Sequence, residues 1–271
     1  MNRPDSISLR DYQLILLDIL KDVAMACRSL DITFYLGEGT LLGAVRHRGF
    51  IPWDDDIDIY MYRKDYDRFL ESAGDVLSDR YEVQSHEHLK SFWNAYAQVR
   101  LITDDDRLKQ RYISRILKNN GPFIDIFPLD YTGKNKGFGL RLRCAKIKLY
   151  KAMLTYKYKV CKPAHPKGVL ISFLSHFYST ENIFKKIDLL TRTFDVEKKP
   201  YTISLHTIHP LKNRIVPSSC FDGVEELDFE DTRFPVPSGY DEVLTTIYGD
   251  YMTPPDDAHR TQKHNIGSES K

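Results

Sequence analysis

The sequence predicts an α+β fold in which helices flank a mixed sheet, followed by a mainly helical and basic C-terminal portion. Three observations favour this class. Apolar residues recur at helical spacing over residues 9–30. A short apolar run with β-branched and aromatic residues follows at 32–36 and is typical of a strand. Residues 138–162 form a long helical pattern in which basic side chains are interleaved with apolar ones.

Composition places the chain among ordinary globular proteins. Hydrophobic residues make up 42% of it and charged residues 28%, and a chain of 271 residues can bury a sizeable core. The formal net charge of +1 indicates no general affinity for nucleic acid. The charge is unevenly distributed, because residues 131–180 contain eleven basic side chains and no acidic one.

The cysteines indicate neither a zinc site nor a disulfide framework, because Cys27, Cys144, Cys161 and Cys220 show no paired spacing. Reduced thiols are typical of the cytosol. No basic-then-apolar signal segment opens the chain, and the longest apolar run, near 168–178, is too short to span a bilayer. We therefore expect a cytoplasmic protein whose membrane contact, where there is any, is peripheral and on the cytoplasmic face.

The first elements are predicted from periodicity and capping. Ser8 precedes the first helical pattern and is a good N-cap, so a helix over 9–30 should pack against the sheet that begins at Ile32. A second amphipathic helix is predicted over 63–77, and two strands over 81–84 and 93–102.

The stretch from 34 to 59 carries the first chemical signal. Gly37 and Gly39 directly follow the predicted strand, and they allow a sharp turn and a close approach of the backbone to a ligand. Thr40 is expected to cap a short helix over 41–47. A glycine-rich turn that leads into a helix N-terminus presents N–H groups and forms a ready anion site.

Two aspartates follow at the spacing of a strand. Asp56 and Asp58 are separated by Ile57, so on a strand both carboxylates point to the same face. Two neighbouring carboxylates repel each other unless a cation lies between them, although a run of aspartates can also be a solvated turn. Oxygen ligands favour a hard ion, so we expect Mg²⁺ or Mn²⁺ with phosphate oxygens completing its coordination shell.

A further acid lies in an apolar setting downstream. Residues 123–130 predict a short strand in which Asp125 is flanked by large apolar side chains. A lone buried acid is costly unless it has a partner or coordinates a metal. Asp130, which follows Pro128, is expected to be a turn or cap residue.

The C-terminal portion begins with the basic helix over 138–162, which Pro163 and Pro166 should end. The apolar segment 168–178 follows. Together they can lie on an anionic membrane surface, although a solvated helix face or cations that bind a phosphorylated acceptor are alternatives. A helix over 181–194, a hairpin over 225–237 and a short helix over Tyr240–Tyr248 complete the prediction.

The order of these motifs resembles a known superfamily. A Gly-Thr turn and helix followed by Asp-x-Asp on the next strand is similar to the nucleotidyltransferase (polymerase-β-like) fold. The wording Gly-Thr-Leu-Leu-Gly-Ala-Val-Arg, then Gly-Phe-Ile-Pro-Trp-Asp-Asp-Asp-Ile-Asp-Ile, looks like the LicD family and its fukutin-like relatives. The segments around Asp125 and Tyr248 also resemble this family.

The resemblance implies roles for particular residues. Asp56, Asp58 and Asp125 would be the catalytic, metal-binding carboxylates, with Asp125 acting as ligand or as base. The donor phosphates would meet Gly37, Gly39, Thr40, Arg46 and Arg48, although the two arginines could also be a solvated helix end. Trp53, Arg260 and His264 would contact the nucleotide or the acceptor, although Trp53 could simply cover the edge of the core.

The resemblance also implies an activity and a division of the chain. Residues 1–130 would form the catalytic core, and residues 131–271 would complete the same unit. The activity would be transfer of a substituted phosphate, most readily phosphocholine, from a CDP-linked donor to a hydroxyl of a cell-surface glycan or its precursor, which could be lipid-linked. The alternatives are transfer of ribitol-, glycerol- or sugar-phosphate, a strict nucleotidyltransferase acting on a small molecule, and a non-catalytic, membrane-associated partner in glycan assembly.

Overall fold

The computed structural model describes residues 7–110, 113–133, 137–192, 198–207, 209–256 and 260. Its helices are α1 (Leu9–Ser29), α2 (Glu38–His47), α3 (Arg63–Val76), α4 (Phe138–Lys157), α5 (Pro166–Ser175), α6 (Thr180–Arg192) and α7 (Tyr240–Tyr248). Its strands are β1 (Tyr35–Leu36), β2 (Asp58–Tyr62), β3 (Tyr81–Gln84), β4 (Ala97–Leu101), β5 (Phe123–Thr132), β6 (Tyr201–Ile203), β7 (Ile215–Pro217), β8 (Val224–Phe229) and β9 (Thr232–Pro237).

One mixed sheet organises the molecule. Its strands are ordered β1-β2-β5-β4-β3, and β6 and β7 extend it from the far end of β5. The pairing of β2 with β5 is parallel, and the other pairings in this sheet are antiparallel. Strands β8 and β9 form a separate hairpin. The predicted mixed sheet flanked by helices is confirmed.

The two faces of the sheet differ in chemistry because side chains alternate along each strand. On one face Ile59, Ile126 and Ala97 lie in register on neighbouring strands, and all three are buried. Helices α1 and α3 contact the strands of the sheet and share this apolar core. The opposite face carries polar side chains, and the candidate site lies on it.

The C-terminal portion shares the main core. Buried residues of the hairpin and of α7, such as Phe229, Phe234 and Leu244, belong to the same apolar cluster as α1 and β2. Helices α4, α5 and α6 pack on one another around a smaller cluster that includes Leu154, Ile183 and Ile187. Within the residues that the structure describes, no helix is both long and apolar enough to cross a membrane.

Some predicted elements have different bounds in the structure, and others were not predicted. Strand β4 begins at Ala97 rather than at 93, and the basic helix ends at Lys157 rather than at 162. The apolar segment is helix α5. The three-residue strands β6 and β7 were not predicted, because so short a run carries no periodic pattern.

The prediction that Asp130 is a turn or cap residue is wrong. Asp130 lies within β5 and is fully buried. Its carboxylate accepts two hydrogen bonds from the Arg63 guanidinium, at 2.9 and 2.8 Å. The side chain is tolerated in the core because a bidentate pair satisfies both of its oxygens.

Candidate active site

The first turn of α2 is joined directly to the start of β2. The Gly37 N–H donates to the Asp58 carbonyl, and the Asp58 N–H donates to the Thr40 hydroxyl, both at 2.9 Å. Thr40 is therefore not the N-cap, contrary to prediction: α2 begins at Glu38, and Gly37 is the capping residue. The Thr40 hydroxyl oxygen instead accepts the Asp58 N–H. This hydrogen bond holds the aspartate beside the N-terminus of the helix.

Two glycines allow this packing for steric reasons. A Cβ on Gly37 would lie 2.9 Å from the Tyr60 ring, and a Cβ on Gly43 would lie 2.4 Å from the Gly49 carbonyl oxygen. Gly37 itself has an extended backbone, with φ of −123°. The positive φ of 44° at this turn belongs to Glu38, which is an uncommon conformation for a non-glycine residue.

The predicted carboxylates come together where β2 and β5 run side by side. Asp58 and Asp125 are directly paired on these parallel strands, so their side chains share the polar face. Asp56 lies just before β2 rather than within it, and the pairing extends back only to Ile57, whose carbonyl accepts the Asp125 N–H at 2.8 Å. All three aspartates are buried, with 5–9% of their surface exposed.

A polar network that local sequence patterns did not reveal orients Asp125. Gln98 pairs with Asp125 across β4 and β5, and its Nε2 donates to Asp125 Oδ1 at 2.7 Å. Buried Arg100 donates to Gln98 Oε1 at 2.7 Å and to Gln84 Oε1 at 2.9 Å. Because arginine only donates, it fixes which end of the Gln98 amide faces Asp125.

A second unpredicted group surrounds Glu38. Its buried carboxylate accepts a hydrogen bond from the Tyr60 hydroxyl and lies 2.7 Å from His209 Nε2. Burial and then the charge of Glu38 raise the pKa of Tyr60 well above its ordinary value. Tyr248, at the end of α7, packs edge-on against His209.

Tyr248 lies near several of the carboxylates of the candidate site. The pKa of Tyr248 lies well above its ordinary value because protein atoms crowd its hydroxyl and because of the charges of Glu38, Asp58, Asp54 and Asp56, although 36% of the residue's surface is exposed. These four carboxylates therefore lie within electrostatic reach of the Tyr248 hydroxyl. The motif at 248–255 therefore brings the C-terminal portion to the aspartates.

Lys151 shows that the basic helix also reaches this face. Its ammonium donates to the His206 carbonyl at 2.9 Å and lies 5.6 Å from the centre of the Tyr96 ring. Burial and the nearby Arg214 lower the pKa of Lys151 to about 8, and the charge of Asp125 opposes them. A basic residue of α4 thus lies within electrostatic reach of Asp125.

Arg46, Trp53 and Arg260 meet at the far end of α2. The Arg260 guanidinium lies 5.0 Å from the centre of the Trp53 ring. Arg46 donates to the Tyr251 carbonyl at 2.7 Å, and its pKa is lowered by burial and by Arg260. Arg48, the C-cap of α2, is exposed. His264 lies outside the described residues.

The donor set suits a hard divalent ion. In the described ranges, no group of three or more His, Cys, Asp or Glu side chains could hold a metal ion by itself. Mg²⁺ is commonly held by one or two carboxylates, with phosphate oxygens and waters as the remaining ligands. The paired Asp58 and Asp125 supply oxygen ligands of this kind. The residues therefore fit a site that protein and phosphate share.

Comparison with known proteins places the chain in a family. The family model described as "LicD/FKTN/FKRP, nucleotidyltransferase domain" matches residues 31–166, which are half of the chain. The chain belongs to the LicD/FKTN/FKRP family. The matched span includes the α2 turn, Asp56, Asp58, Asp125 and Lys151, whereas Tyr248 and Arg260 lie beyond it.

Similar proteins were found as well. The lipopolysaccharide cholinephosphotransferase LicD of Haemophilus influenzae is 28% identical over 261 residues, covering 95% of this chain and 96% of the relative. An uncharacterized protein of Rickettsia prowazekii is 44% identical over 52 residues, covering 19% of this chain and 20% of the relative. A Rickettsia typhi protein shows the same identity over the same length. The alignment with the cholinephosphotransferase therefore covers nearly all of both chains.

Proposed function

We propose that this protein is a phosphotransferase with a nucleotidyltransferase-type core. It transfers phosphocholine from a CDP-linked donor to a hydroxyl of a cell-surface glycan or its precursor, at the cytoplasmic face of the membrane. The observation that carries the proposal is the direct pairing of Asp58 with Asp125 beside the N-terminal turn of α2. Its substrate class is supported by the near full-length likeness to a lipopolysaccharide cholinephosphotransferase.

The metal site follows from the carboxylates. Asp56, Asp58 and Asp125 would hold Mg²⁺ or Mn²⁺ together with donor phosphate oxygens. When bound, the ion would neutralise charge on the transferred phosphoryl group. Gln98 holds Asp125 in a fixed orientation, so little reorganisation is needed when the donor arrives.

The length of α2 divides the predicted donor contacts into two groups. The first-turn amides of Glu38, Gly39 and Thr40 lack intrahelical partners by position and lie beside Asp58. Arg46 lies at the other end of a ten-residue helix, roughly 12 Å away at 1.5 Å per residue. Because the Arg46 guanidinium is also bound to the Tyr251 carbonyl, we assign the phosphates to the first turn, and the nucleotide end of the donor to Arg46, Trp53 and Arg260.

The transfer step needs a proton acceptor and charge neutralisation. The acceptor hydroxyl oxygen attacks the phosphorus that bears choline, and its proton passes to a carboxylate, for which Asp125 is the candidate because Gln98 orients it. The bond from that phosphorus to the CMP oxygen breaks, and CMP leaves with the electron pair. Lys151, which lies within electrostatic reach of Asp125, would offset negative charge on the phosphoryl oxygens.

The experiment supplies purified protein and Mg²⁺ with CDP-choline, CDP-ribitol or CDP-glycerol, and with a glycan acceptor. The proposal predicts release of CMP and a phosphocholine-modified acceptor, with CDP-choline turned over fastest. Release of pyrophosphate from CTP and a phosphorylated small molecule would instead identify a strict nucleotidyltransferase. Failure to bind any nucleotide in the presence of Mg²⁺ would favour the non-catalytic alternative.

Replacing Asp58 with asparagine tests the site itself. Asp58→Asn keeps the size of the side chain and removes its charge, so we expect the fold to persist and CMP release to fall by at least about 100-fold. Asp231→Asn is the matched control, because Asp231 is exposed on the hairpin turn and pairs with Lys21. A variant at position 58 that keeps a tenth or more of the activity would rule out this metal site.

A further inference from the structure

Helix α5 carries an apolar face that nothing in the described structure covers. This α5 apolar face consists of Val169, Leu170, Phe173, Leu174 and Phe177, the last in the turn after the helix. Each side chain is between 38% and 72% exposed. Their spacing repeats every three to four residues, so they form one continuous stripe. Single exposed apolar residues are common on proteins, but a continuous stripe marks an interaction surface.

The opposite side of α5 packs against the rest of the protein. Gly168 and Ser175 are buried, and a Cβ on Gly168 would lie 2.7 Å from the Tyr156 hydroxyl of α4. Ile171 packs against the cluster that joins α4 and α6. The helix is therefore firmly seated on the protein through one side, while its α5 apolar face points away from the core.

The positive charge around this face indicates what kind of partner would bind it. Lys159, Lys162 and Lys167 are exposed in the segment that leads into α5 and in its first turn. The sequence contains no acidic residue between 131 and 180, and Glu181 is the next acid along the chain. A surface that combines exposed aromatic and aliphatic side chains with lysines is complementary to an anionic lipid surface.

A second copy of the chain is a poorer occupant. In a two-fold dimer the same patch meets itself, so the lysines around one α5 would face those around the other, and residues 131–180 contribute no acid to pair with them. The exposed side chains also stand on a single convex helix. A lipid interface accepts such side chains without a matching groove, whereas a protein partner would have to supply one.

We propose that α5 lies in the interface of an anionic membrane, with the α5 apolar face inserted among the lipids and the lysines against their head groups. The contact is peripheral, because no helix in the described ranges could cross a bilayer. This inference does not depend on the proposed reaction, because it rests on the exposed apolar side chains and lysines of α5 and its flanking residues, none of which has a role in that reaction.

Vesicle binding by the full-length protein tests the proposal. We expect sedimentation with vesicles that contain phosphatidylglycerol, little with phosphatidylcholine alone, and weaker binding at high salt. The variant with Leu170→Ser, Phe173→Ser and Phe177→Ser should lose most of this binding and keep CMP release on a water-soluble acceptor. Met25→Ser with Met252→Ser is the matched control, because both methionines are more than half exposed and neither belongs to α5 or to the segment before it.

A second measurement looks for a new fluorescence signal on vesicle binding, because a loss of binding alone could also come from a misfolded variant. Phe173→Trp should show a blue shift of fluorescence when anionic vesicles are added, measured against the parent protein with its native tryptophans. Unchanged binding by the triple serine variant, or no blue shift, would overturn the proposal. A solution dimer that the triple serine variant dissociates would also overturn it, and would assign the face to a contact between copies.

Discussion

Gln98 stands between two opposite charges, and each end of its amide has one partner. Arg100 donates to the amide oxygen at 2.7 Å, and the amide nitrogen donates to Asp125 at the same distance. Hydrogen bonds to charged groups are stronger than neutral ones, so the arrangement fixes the Asp125 carboxylate. Arg100 is 1% exposed and also packs 4.2 Å from the centre of the Phe123 ring, so it can hardly move.

Replacing Gln98 with glutamate separates positioning from folding. Gln98→Glu keeps an oxygen for Arg100 but turns the donor that faces Asp125 into a second carboxylate. We expect the variant to fold, because Arg100 offsets part of the added charge, and CMP release to fall about 10-fold or more from repulsion at Asp125. The Gln98→Asn variant, which keeps the amide but shortens the side chain, is measured alongside. A titration with Mn²⁺ compares metal binding among the variants and the parent. Unchanged activity in Gln98→Glu would show that Asp125 needs no such support.

The residues that sequence patterns identified are mostly those that carry a signal in their own segment of the chain. Asp56 and Asp58 are visible because a two-residue spacing is a local signal, and Asp125 because its apolar neighbours predict burial. Gln98, Arg100 and Glu38 carry no such signal. Gln98 reaches Asp125 only through the register of β4 against β5, and Glu38 reaches His209 across more than half of the chain. Pairing over such distances depends on tertiary packing.

At the scale of elements, α2 and the loop after it behave as one unit. The loop returns along the helix so closely that the Gly49 carbonyl lies against Gly43, with no room for a Cβ. This close packing carries the chain from Trp53, at one end of α2, to Asp58 at the other. The element matters to function because it places both ends of the proposed donor along one helix.

Two glycine-to-alanine substitutions test this packing, and they should change the free energy of unfolding in opposite directions. Gly43→Ala should destabilise the fold by about 1–3 kcal/mol, because the backbone of the loop must move away. Gly74→Ala is the matched control in α3, where a Cβ meets nothing within 4 Å, and it should stabilise by about 0.5–1 kcal/mol. Urea unfolding measures both. Equal effects at the two positions would contradict the close approach at Gly43.

The capping error at Thr40 has the same physical origin as the missed strands. A threonine before a helical pattern is a reasonable N-cap by local rules, yet its hydroxyl accepts the Asp58 N–H from another element. Strands β6 and β7 are likewise defined by their pairing onto the end of β5 rather than by their own composition. Tertiary hydrogen bonds override local preference at both places.

At the scale of the whole molecule, His206 couples pH to stability. It is buried, and both of its ring nitrogens lack a hydrogen-bond partner in the described structure. Burial, and then the charge of Lys151, hold the pKa of His206 well below its ordinary value of 6.5. The unfolded chain therefore binds a proton below pH 6.5 that the folded chain does not, so stability falls as the pH is lowered through this range.

His206→Leu should remove this dependence. Above pH 6.5 the histidine is neutral in both states and contributes no slope, whereas one pH unit below it the parent should lose about 1 kcal/mol that the variant keeps. The measurement is the difference in unfolding free energy between the two proteins at pH 7.5 and pH 5.5. His165→Gln, at an exposed position, is the control. A parallel decline of parent and His206→Leu would contradict the buried neutral histidine.

The last prediction concerns whether residues 1–130 can fold alone. Strand β5 continues to Thr132, and its end pairs with β6, so a cut after 130 leaves the sheet incomplete. Asp130 would keep Arg63 but lose Thr202, which donates to its carbonyl at 3.1 Å. The main core would also lose the hairpin and α7, exposing the apolar side chains that they cover. We expect the 1–130 fragment to show no cooperative thermal transition, and co-expression with 131–271 to restore one. A sharp transition in the isolated fragment would instead establish an independent catalytic domain, and Tyr248 and Lys151 would then be additions to a site that is complete without them.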